Sequence, residues 1–368
     1  MFFPSTITID LGRYRRNVEI LRSRLSPGTR FCAVVKANAY GHGLVPIAQA
    51  AGQAGAEALG IVDNEEATDL RQAGISLPIL RLRPAIVEEV REVIDLNIEE
   101  PVGDLETVNR FSQLAQELGS TISVHLKVDV GIGRMGVSPS EAKDLLMRAR
   151  SAAGIRVRGV MTHFPSSDEP HPGITIHQID LFRWVVRSIG YMLHDNVVVH
   201  AANSEATLRF PEAHLGMVRV GLATYGLSPS KEACLPAGVE TVMRWTTRIV
   251  QIRPMHEGET IGYGMTYRLD QDRIVATLPV GYADGYFRSL SGRAEVLVRG
   301  RRCPVLGRIS MDLTCIDVSE APDAAVGDEV VLLGDEIGAD ELASRAGTIS
   351  YEVVTRIGNI ARTGRSYV

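Results

Sequence analysis

The feature that most constrains the fold is an eightfold alternation of short hydrophobic runs and helix-like patterns between Phe31 and Val220. The runs are rich in β-branched residues, which favours strands buried on both faces. The predicted strands are 31–35, 58–62, 78–82, 97–102, 122–128, 156–161, 197–201 and 217–220. Eight parallel strands close a (β/α)8 TIM-like barrel. An open, doubly wound sheet fits the alternation nearly as well, and it is the count of eight that favours the barrel.

The secondary-structure pattern of the sequence changes after about residue 235. Strand-like runs recur with Gly-rich turns between them and without a convincing long helix, which is typical of a mainly β domain. The candidate strands are 241–252, 273–280, 294–298, 313–318 and 329–333. We therefore predict a barrel domain over 1–235 and a mainly β domain over 236–368. A further strand, at about 5–10, is surplus to the eight and is predicted to pair with the second domain.

Composition narrows the class of partner. A chain of 368 residues that is 45% hydrophobic has room for two cores. The net charge is −5 and the basic residues are scattered, so neither nucleic acid nor a membrane surface is expected as a partner. The N-terminus has no signal-like pattern, and the four cysteines form no CxxC pair. These features predict a cytoplasmic protein that binds a small molecule and has no metal site.

Reactive side chains follow the predicted barrel strands, where functional groups of such barrels lie. Lys36 follows the first strand, Arg134 the fifth and His163 the sixth. Lys36 is flanked by Val and Ala, and the resulting loss of hydration lowers the pKa of its amine. A free amine is what imine chemistry requires. The alternative for Lys36 is a buried strand-end lysine whose head group reaches solvent. The alternative for His163 is a hydrogen-bonded core histidine.

The loops after strands seven and eight are where barrels often hold a phosphate through backbone N–H groups. Asn203 and Ser204 follow the seventh strand, and the backbone of Gly221 and Leu222 follows the eighth. Asn203 and Ser204 also fit an ordinary helix N-cap, and both interpretations can hold together. Arg219 lies within a strand, so its guanidinium needs a buried partner, which a pyridine nitrogen would supply. A phosphate-bearing cofactor facing a lysine is therefore expected.

The segment 33–43, AVVKANAYGHG, resembles the pyridoxal-phosphate (PLP) attachment segment of alanine racemases. Further segments that are similar to this family extend over nearly the whole chain: 125–129, 131–136, 162–164, 217–226, 262–267, 281–286, 307–312 and 350–353. The resemblance implies a barrel followed by a mainly β domain. It also implies a homodimer in which the active sites are shared.

The resemblance implies roles for individual residues. Lys36 would bind PLP covalently and act as one catalytic base, and Tyr263 of the neighbouring subunit would be the other. Arg134 would contact the cofactor and the substrate carboxylate, and Lys127 is a position that is commonly carbamylated. The other residues that are expected to contact the cofactor are Tyr40, His163, Asn203, Ser204, Arg219, Gly221, Leu222 and Tyr351. Those expected to contact the substrate are Tyr282, Met311 and Asp312.

The implied reaction is the interconversion of L-alanine and D-alanine by two-base exchange of the α-proton, which supplies D-alanine for peptidoglycan synthesis. A racemase that prefers serine or a broader range of amino acids is the nearest alternative. A PLP-dependent amino-acid decarboxylase shares the architecture but places an acidic residue where Arg219 stands. A PLP-carrier protein resembling the barrel alone would leave the chain after residue 235 unexplained.

Overall fold

The computed structural model describes residues 3–193, 196–359 and 362–368. It divides into two compact units. The barrel unit comprises Tyr14–Ala39 and Leu44–Val239, and the sheet unit comprises the chain up to Arg13, Tyr40–Gly43 and the chain from Glu240 onwards. The assignment of Tyr40–Gly43 to the sheet unit differs from the sequence analysis, which left this stretch within the barrel.

The barrel unit contains a closed barrel of eight parallel strands, which confirms the predicted architecture. It closes because Met217–Val220 pairs with both Val198–His200 and Arg30–Val34. The eight strands are Arg30–Val34, Ala58–Ile61, Ile79–Arg81, Ile98–Val102, Ile122–Lys127, Ile155–Met161, Val198–His200 and Met217–Val220. The described helices that alternate with them are Leu44–Gln53, Asn64–Gln72, Val87–Glu92, Leu105–Glu117, Ala142–Ser151, Gly173–Ile189 and Ser204–Arg209.

The sheet unit is built on a nine-stranded sheet. Ser5–Ile9 pairs antiparallel with Met243–Arg248 and parallel with Gly364–Tyr367. The order across the sheet is Gln251–Met255, Arg273–Leu278, Thr314–Asp317, Arg301–Leu306, Glu295–Val298, Glu329–Leu333, Met243–Arg248, Ser5–Ile9 and Gly364–Tyr367. Thr260–Ile261 and Tyr267–Arg268 form a separate hairpin. Helix Leu11–Ser23 follows the first strand, and its N-terminus is capped by the Asp10 carboxylate, which accepts from the Arg13 N–H.

The sheet unit differs from the sequence prediction in three places. The single strand expected at 241–252 is two strands, because the chain changes neighbours at Ile249: Met243–Arg248 pairs with Glu329–Leu333, whereas Gln251–Met255 pairs with Arg273–Leu278. Strand Arg301–Leu306 was not predicted, since its two arginines and Pro304 weaken the strand pattern. Two short helices of eight and nine residues, Ala339–Ala346 and Ser350–Gly358, lie in a region where strands were predicted and no convincing long helix was expected.

Among the described residues, no helix is both long enough and apolar enough to cross a membrane.

Candidate active site

The barrel strands deliver the predicted side chains to their carboxyl ends. Lys36 lies two residues beyond the first strand, and His163 lies two residues beyond the sixth. Lys127 is the last residue of the fifth strand, Arg219 lies within the eighth, and Gly221 comes directly after it. Parallel strands end at one rim of a barrel, so these groups share a rim.

Four cationic side chains act on a single imidazole at this rim. Burial and, in decreasing order of effect, the charges of Arg219, Lys127, Arg134 and Lys36 together lower the pKa of His163 to about 3. His163 is therefore neutral near pH 7, which suits a ring that packs against another ring. The convergence of two guanidiniums and two amines makes the rim a site for an anionic ligand.

Lys36 is half-buried, and its pKa lies below the ordinary value for a lysine. Burial is the larger cause and the Arg134 charge adds to it, while Glu66 opposes the shift. Both causes favour the uncharged amine that was predicted from the flanking Val and Ala.

The turn after Lys36 is left-handed. Ala37, Asn38, Ala39 and Tyr40 all have φ of 53–54°, a region that residues other than glycine rarely adopt. Glu66 stabilises the turn, because its carboxylate accepts from the N–H of Asn38 at 3.3 Å and from the N–H of Val62 at 2.8 Å. The carboxylate thus ties the turn that bears Lys36 to the end of the second barrel strand.

Lys127 is 1% exposed. Burial lowers the pKa of its amine to about 7, with the Arg219 charge as the next cause. Its Nζ lies 3.5 Å from the carbonyl oxygen of Val128. A substantial fraction of neutral amine at neutral pH is the chemical requirement for reaction with carbon dioxide.

Arg219 donates from Nη1 to His200 Nδ1 at 2.8 Å and from Nη2 to the carbonyl oxygens of Thr162 and Ala201, each at 2.9 Å. Burial lowers the pKa of its guanidinium to about 10. A guanidinium within a strand needs buried partners, and the chain itself supplies three neutral acceptors.

The loops after strands seven and eight are joined by hydrogen bonds. Asn203 caps helix Ser204–Arg209 by accepting from the Ala206 N–H at 2.8 Å, as the N-cap interpretation predicted. Ser204 Oγ accepts from the N–H of Gly221 at 3.0 Å and from that of Ala223 at 3.4 Å. Because Ser204 Oγ accepts these two bonds, its hydroxyl proton is left to donate, and it lies close to the backbone at Leu222.

Arg134 is exposed and lies on a loop that Asp129 organises. The Asp129 carboxylate accepts from three successive backbone N–H groups, those of Gly131, Ile132 and Gly133, at 2.8, 2.8 and 2.9 Å. These hydrogen bonds fix the loop immediately before Arg134, so the backbone that carries this arginine is held in place.

Tyr263 is carried by a short 3₁₀ turn of the sheet unit and is 71% exposed. The glycines on either side have φ of 77° and 74°. A Cβ at Gly264 would lie 2.8 Å from Nη1 of Arg308, and one at Gly262 would lie 3.2 Å from the Arg308 backbone nitrogen. The glycines therefore let the tyrosine turn pack closely on the segment that leads to Met311.

Tyr282, Met311 and Asp312 lie together in the sheet unit. The N–H of Tyr282 donates to the carbonyl oxygen of Ser310 at 3.1 Å, and that of Ala283 to Met311 at 2.9 Å. Met311 is exposed, and Asp312 pairs with Arg362 at 2.6 Å. The structure thus brings these three predicted residues to one surface.

Tyr40 and Tyr351 also lie in the sheet unit, with ring centroids 6.0 Å apart. A Cβ at Gly41 would lie 2.8 Å from the Cα of Gly358, so only glycine allows the chain after Tyr40 to pack on helix Ser350–Gly358.

Two family models match the chain. "Alanine racemase, N-terminal domain" matches residues 9–229, and "Alanine racemase, C-terminal domain" matches residues 242–367. The chain belongs to the alanine racemase family. The recognition made from the motifs is therefore confirmed.

Individual members of the alanine racemase family match over the whole length. The alanine racemase of Desulfovibrio desulfuricans is 41% identical over 366 residues, covering 99% of this chain and 98% of the relative. The solved alanine racemase of Streptomyces lavendulae has a TM-score of 0.92 at 39% identity, covering 100% of this chain and 98% of that one. That of Bacillus anthracis, solved with bound L-Ala-P, has a TM-score of 0.91 at 35% identity and covers 100% and 96%.

Sequence reasoning named the side chains that the structure places at the barrel rim, but it missed residues that support them. Glu66 and Asp129 position the segments bearing Lys36 and Arg134, and His200 accepts from Arg219. Asp129 stands beside a Gly-x-Gly segment, a pattern that favours an Asx-type turn and could have indicated its role. No local signal marks the roles of Glu66 and His200, because the contacts that define those roles, with Asn38 and Arg219, are made 28 and 19 positions away.

Proposed function

We propose that the chain is a PLP-dependent alanine racemase that interconverts L-alanine and D-alanine by exchanging the α-proton between two bases. The observation that carries the proposal is the convergence of Lys36, Lys127, Arg134 and Arg219 on His163 at the barrel rim. Membership of the alanine racemase family and the names of its full-length relatives support the reaction assigned. Supply of D-alanine for peptidoglycan synthesis is the corresponding role.

The residues present fit PLP. The cofactor carries an aldehyde, a phosphate and a phenolic oxygen, which call for an amine, donors to phosphate and a cation. Lys36 offers the amine, and Arg134 offers the cation. The Ser204 hydroxyl and the backbone N–H of Leu222 offer the donors, and Gly221, whose N–H donates to Ser204 Oγ, orients that hydroxyl. Arg219 would donate to the ring nitrogen while His163 packs behind the ring, and Asn203 would hold the loop. When bound, PLP withdraws electrons from the substrate α-carbon and so makes its proton removable.

Two bases divide the proton transfer between the faces of the substrate. We assign Lys36 to the α-proton of D-alanine, since the depressed pKa of its amine leaves it able to accept a proton. Tyr263 is assigned to the α-proton of L-alanine through its phenolic oxygen. The Arg134 guanidinium and the backbone N–H groups of Met311 and Asp312 would bind the substrate carboxylate. Tyr282 would line the entrance. Tyr40 and Tyr351 would reach the phosphate.

A homodimer with shared sites accounts for the position of Tyr263 on an exposed surface. Tyr263, Met265, Met311 and Leu313 are 71%, 72%, 53% and 46% exposed and belong to one unit. Large exposed apolar groups clustered in this way mark an interaction surface. We propose that a second copy covers this surface, so that each site combines Lys36 of one subunit with Tyr263 of the other. The cytoplasmic location stays a prediction.

The substrate range is tested by incubating the purified protein with PLP and separately with L-alanine, L-serine and L-lysine. We expect the D-isomer of alanine to form fastest, measured by chiral chromatography. Faster conversion of serine would replace the assignment with the serine-preferring alternative. Release of carbon dioxide without racemisation would indicate a decarboxylase, which the arginine at position 219 disfavours.

A further inference from the structure

A line of hydrogen bonds crosses the barrel interior and ends on Arg219. Arg219 Nη1 lies 2.8 Å from His200 Nδ1, His200 Nε2 lies 2.8 Å from His125 Nδ1, and His125 Nε2 lies 2.7 Å from Glu99 Oε2. Both imidazoles are fully buried, and the line runs over strands eight, seven, five and four of the barrel. Apart from Arg219, the members of this line, His200, His125 and Glu99, have no assigned contact with the cofactor or the substrate.

The direction of every hydrogen bond follows from the chemistry of Arg219. A guanidinium only donates, so His200 Nδ1 must accept and its proton must be on Nε2. His200 Nε2 therefore donates, and His125 Nδ1 must accept. The proton of His125 is then on Nε2, from which it donates to the Glu99 carboxylate. One arrangement of protons satisfies all three bonds, and it requires both histidines to be neutral.

The electrostatics agree with this arrangement. Burial raises the pKa of Glu99, but the hydrogen bond from His125 and the guanidinium of Arg158 outweigh it, so that the pKa lies below its ordinary value. Burial, followed by the charge of Arg219, lowers the pKa of His200 well below the ordinary value. Glu99 is thus an anion and His200 a neutral ring near pH 7.

The backbone of the sixth barrel strand leaves room for the contact between His125 and His200. The sixth strand lies between the strands that carry His125 and His200, and its register shifts so that Val124 pairs with Val157 and His125 with Gly159. A Cβ at Gly159 would lie 2.2 Å from His125 Nδ1. The irregular register and the glycine therefore clear the space in which the two rings meet.

We propose that Glu99 is a positioning residue for Arg219: by accepting from His125 it holds the protons of His125 and His200 on Nε2, which keeps His200 Nδ1 in place as the acceptor that orients the guanidinium, and it provides a distant counter-charge. The hydrogen-bonded line is a property of the chain alone, whereas its effect on the reaction rests on the proposed function. Removal of the carboxylate leaves His125 free to move its proton to Nδ1, which breaks its bond with His200 and loosens Arg219.

The test uses two variants of Glu99 and a matched control. Glu99→Gln keeps an acceptor for His125 and removes the charge, while Glu99→Leu removes both. Glu100→Gln is the control, since Glu100 is a buried carboxylate on the same strand whose partner is Arg81 at 2.8 Å. Any general damage to the strand appears in the control as well.

The first readout is the protonation of the histidine rings in ¹⁵N-histidine-labelled protein, recorded by NMR with and without PLP, with His125→Gln and His200→Gln used for assignment. In the wild type and in Glu100→Gln we expect both rings neutral with the proton on Nε2. In Glu99→Leu the His125 and His200 signals should change, and in Glu99→Gln the tautomers should persist. A charged His200, or a proton on its Nδ1 in the wild type, would overturn the proposal.

The second readout is kinetic and spectroscopic. Loss of one charge-assisted hydrogen bond is expected to lower kcat about tenfold in Glu99→Leu, with little change in KM and with an altered absorption spectrum of bound PLP. Glu99→Gln should fall between this variant and Glu100→Gln. Equal kcat and equal spectra in Glu99→Leu and Glu100→Gln would refute a positioning role. The NMR measurement does not depend on activity. Failure of the racemase assignment can therefore be distinguished from failure of the proposed line of hydrogen bonds.

Discussion

At the scale of single residues, burial in the barrel distinguishes two lysines that lie near one another. It lowers the pKa of both amines, with like charges adding to the effect. Lys36 is half-buried on a turn, whereas Lys127 is enclosed at the end of a strand. We therefore assign covalent attachment to the accessible amine and modification by a small molecule to the enclosed one.

Lys36 is expected to hold PLP covalently. The purified protein should be yellow, and borohydride should fix the cofactor to the peptide that contains Lys36, because this lysine combines a lowered pKa with access from the rim. Peptide mapping by mass spectrometry identifies the site. Lys36→Ala should bind PLP without a covalent bond, and recovery of the label on Lys127 or Lys231 would contradict the assignment.

Lys127 is expected to form a carbamate. Its neutral amine would attack carbon dioxide, forming an N–C bond and releasing a proton. The pKa of about 7 means that the protonated, unreactive form grows as the pH falls through 7, so occupancy should rise above this pH and fall below it. ¹³C NMR with labelled bicarbonate measures the signal. A carbamate signal of equal size in Lys127→Met would show that it arises elsewhere.

The rule that functional groups follow barrel strands led to the prediction of Lys36, His163 and Ser204 as site residues, because strand ends are visible in the sequence as the ends of hydrophobic runs. It could not locate Glu99, whose role depends on a contact with His125 26 positions away. Lys127 was found by family resemblance, and its enclosure became evident only from packing.

At the scale of secondary-structure elements, the left-handed turn at Ala37–Tyr40 departs most from sequence expectation. Three of its four residues are not those that favour positive φ, so nothing local indicates the conformation. Contacts made elsewhere hold it, notably Glu66 on Asn38 and the Asn38 side chain, which accepts from the N–H of Leu44 at 2.8 Å. Backbone strain kept by surrounding contacts is common at functional sites.

The strain predicts opposite effects for two alanine-to-glycine substitutions. Ala37→Gly should raise the free energy of unfolding by about 1 kcal/mol, since glycine adopts positive φ without the Cβ clash. Ala50→Gly, inside helix Leu44–Gln53, should lower it by at least about 1 kcal/mol. Urea denaturation midpoints compare the two. Equal destabilisation by both would mean that the turn is not strained at Ala37.

Two strands of the sheet unit could not be predicted from the hydrophobic pattern of the sequence. Hydrophobic runs indicated most of its strands, but the break at Ile249 contains neither glycine nor proline and arises from a change of pairing partner. Pairing partners that are far apart in sequence leave no local signal. Strand Arg301–Leu306 was missed for the opposite reason, since local residues argue against a strand that its neighbours nevertheless impose.

At the scale of the whole molecule, the chain separates the two proposed bases into different units. Lys36 lies in the barrel unit, and Tyr263 lies on an exposed surface of the sheet unit. The two-base account requires these groups to meet on one substrate, and a two-fold symmetric dimer would create two equivalent sites that combine them.

The most direct test is to mix Lys36→Ala and Tyr263→Ala proteins, each inactive alone, and to dissociate and reassociate them. A hybrid dimer would contain one intact site and one site lacking both bases. Random pairing makes about half of the dimers hybrid, so racemisation of alanine should return to about a quarter of the wild-type rate. Each variant reassociated with itself is the control and should stay inactive. No recovery, with hybrid dimers demonstrated by native mass spectrometry, would place both bases in the same subunit and contradict the shared site.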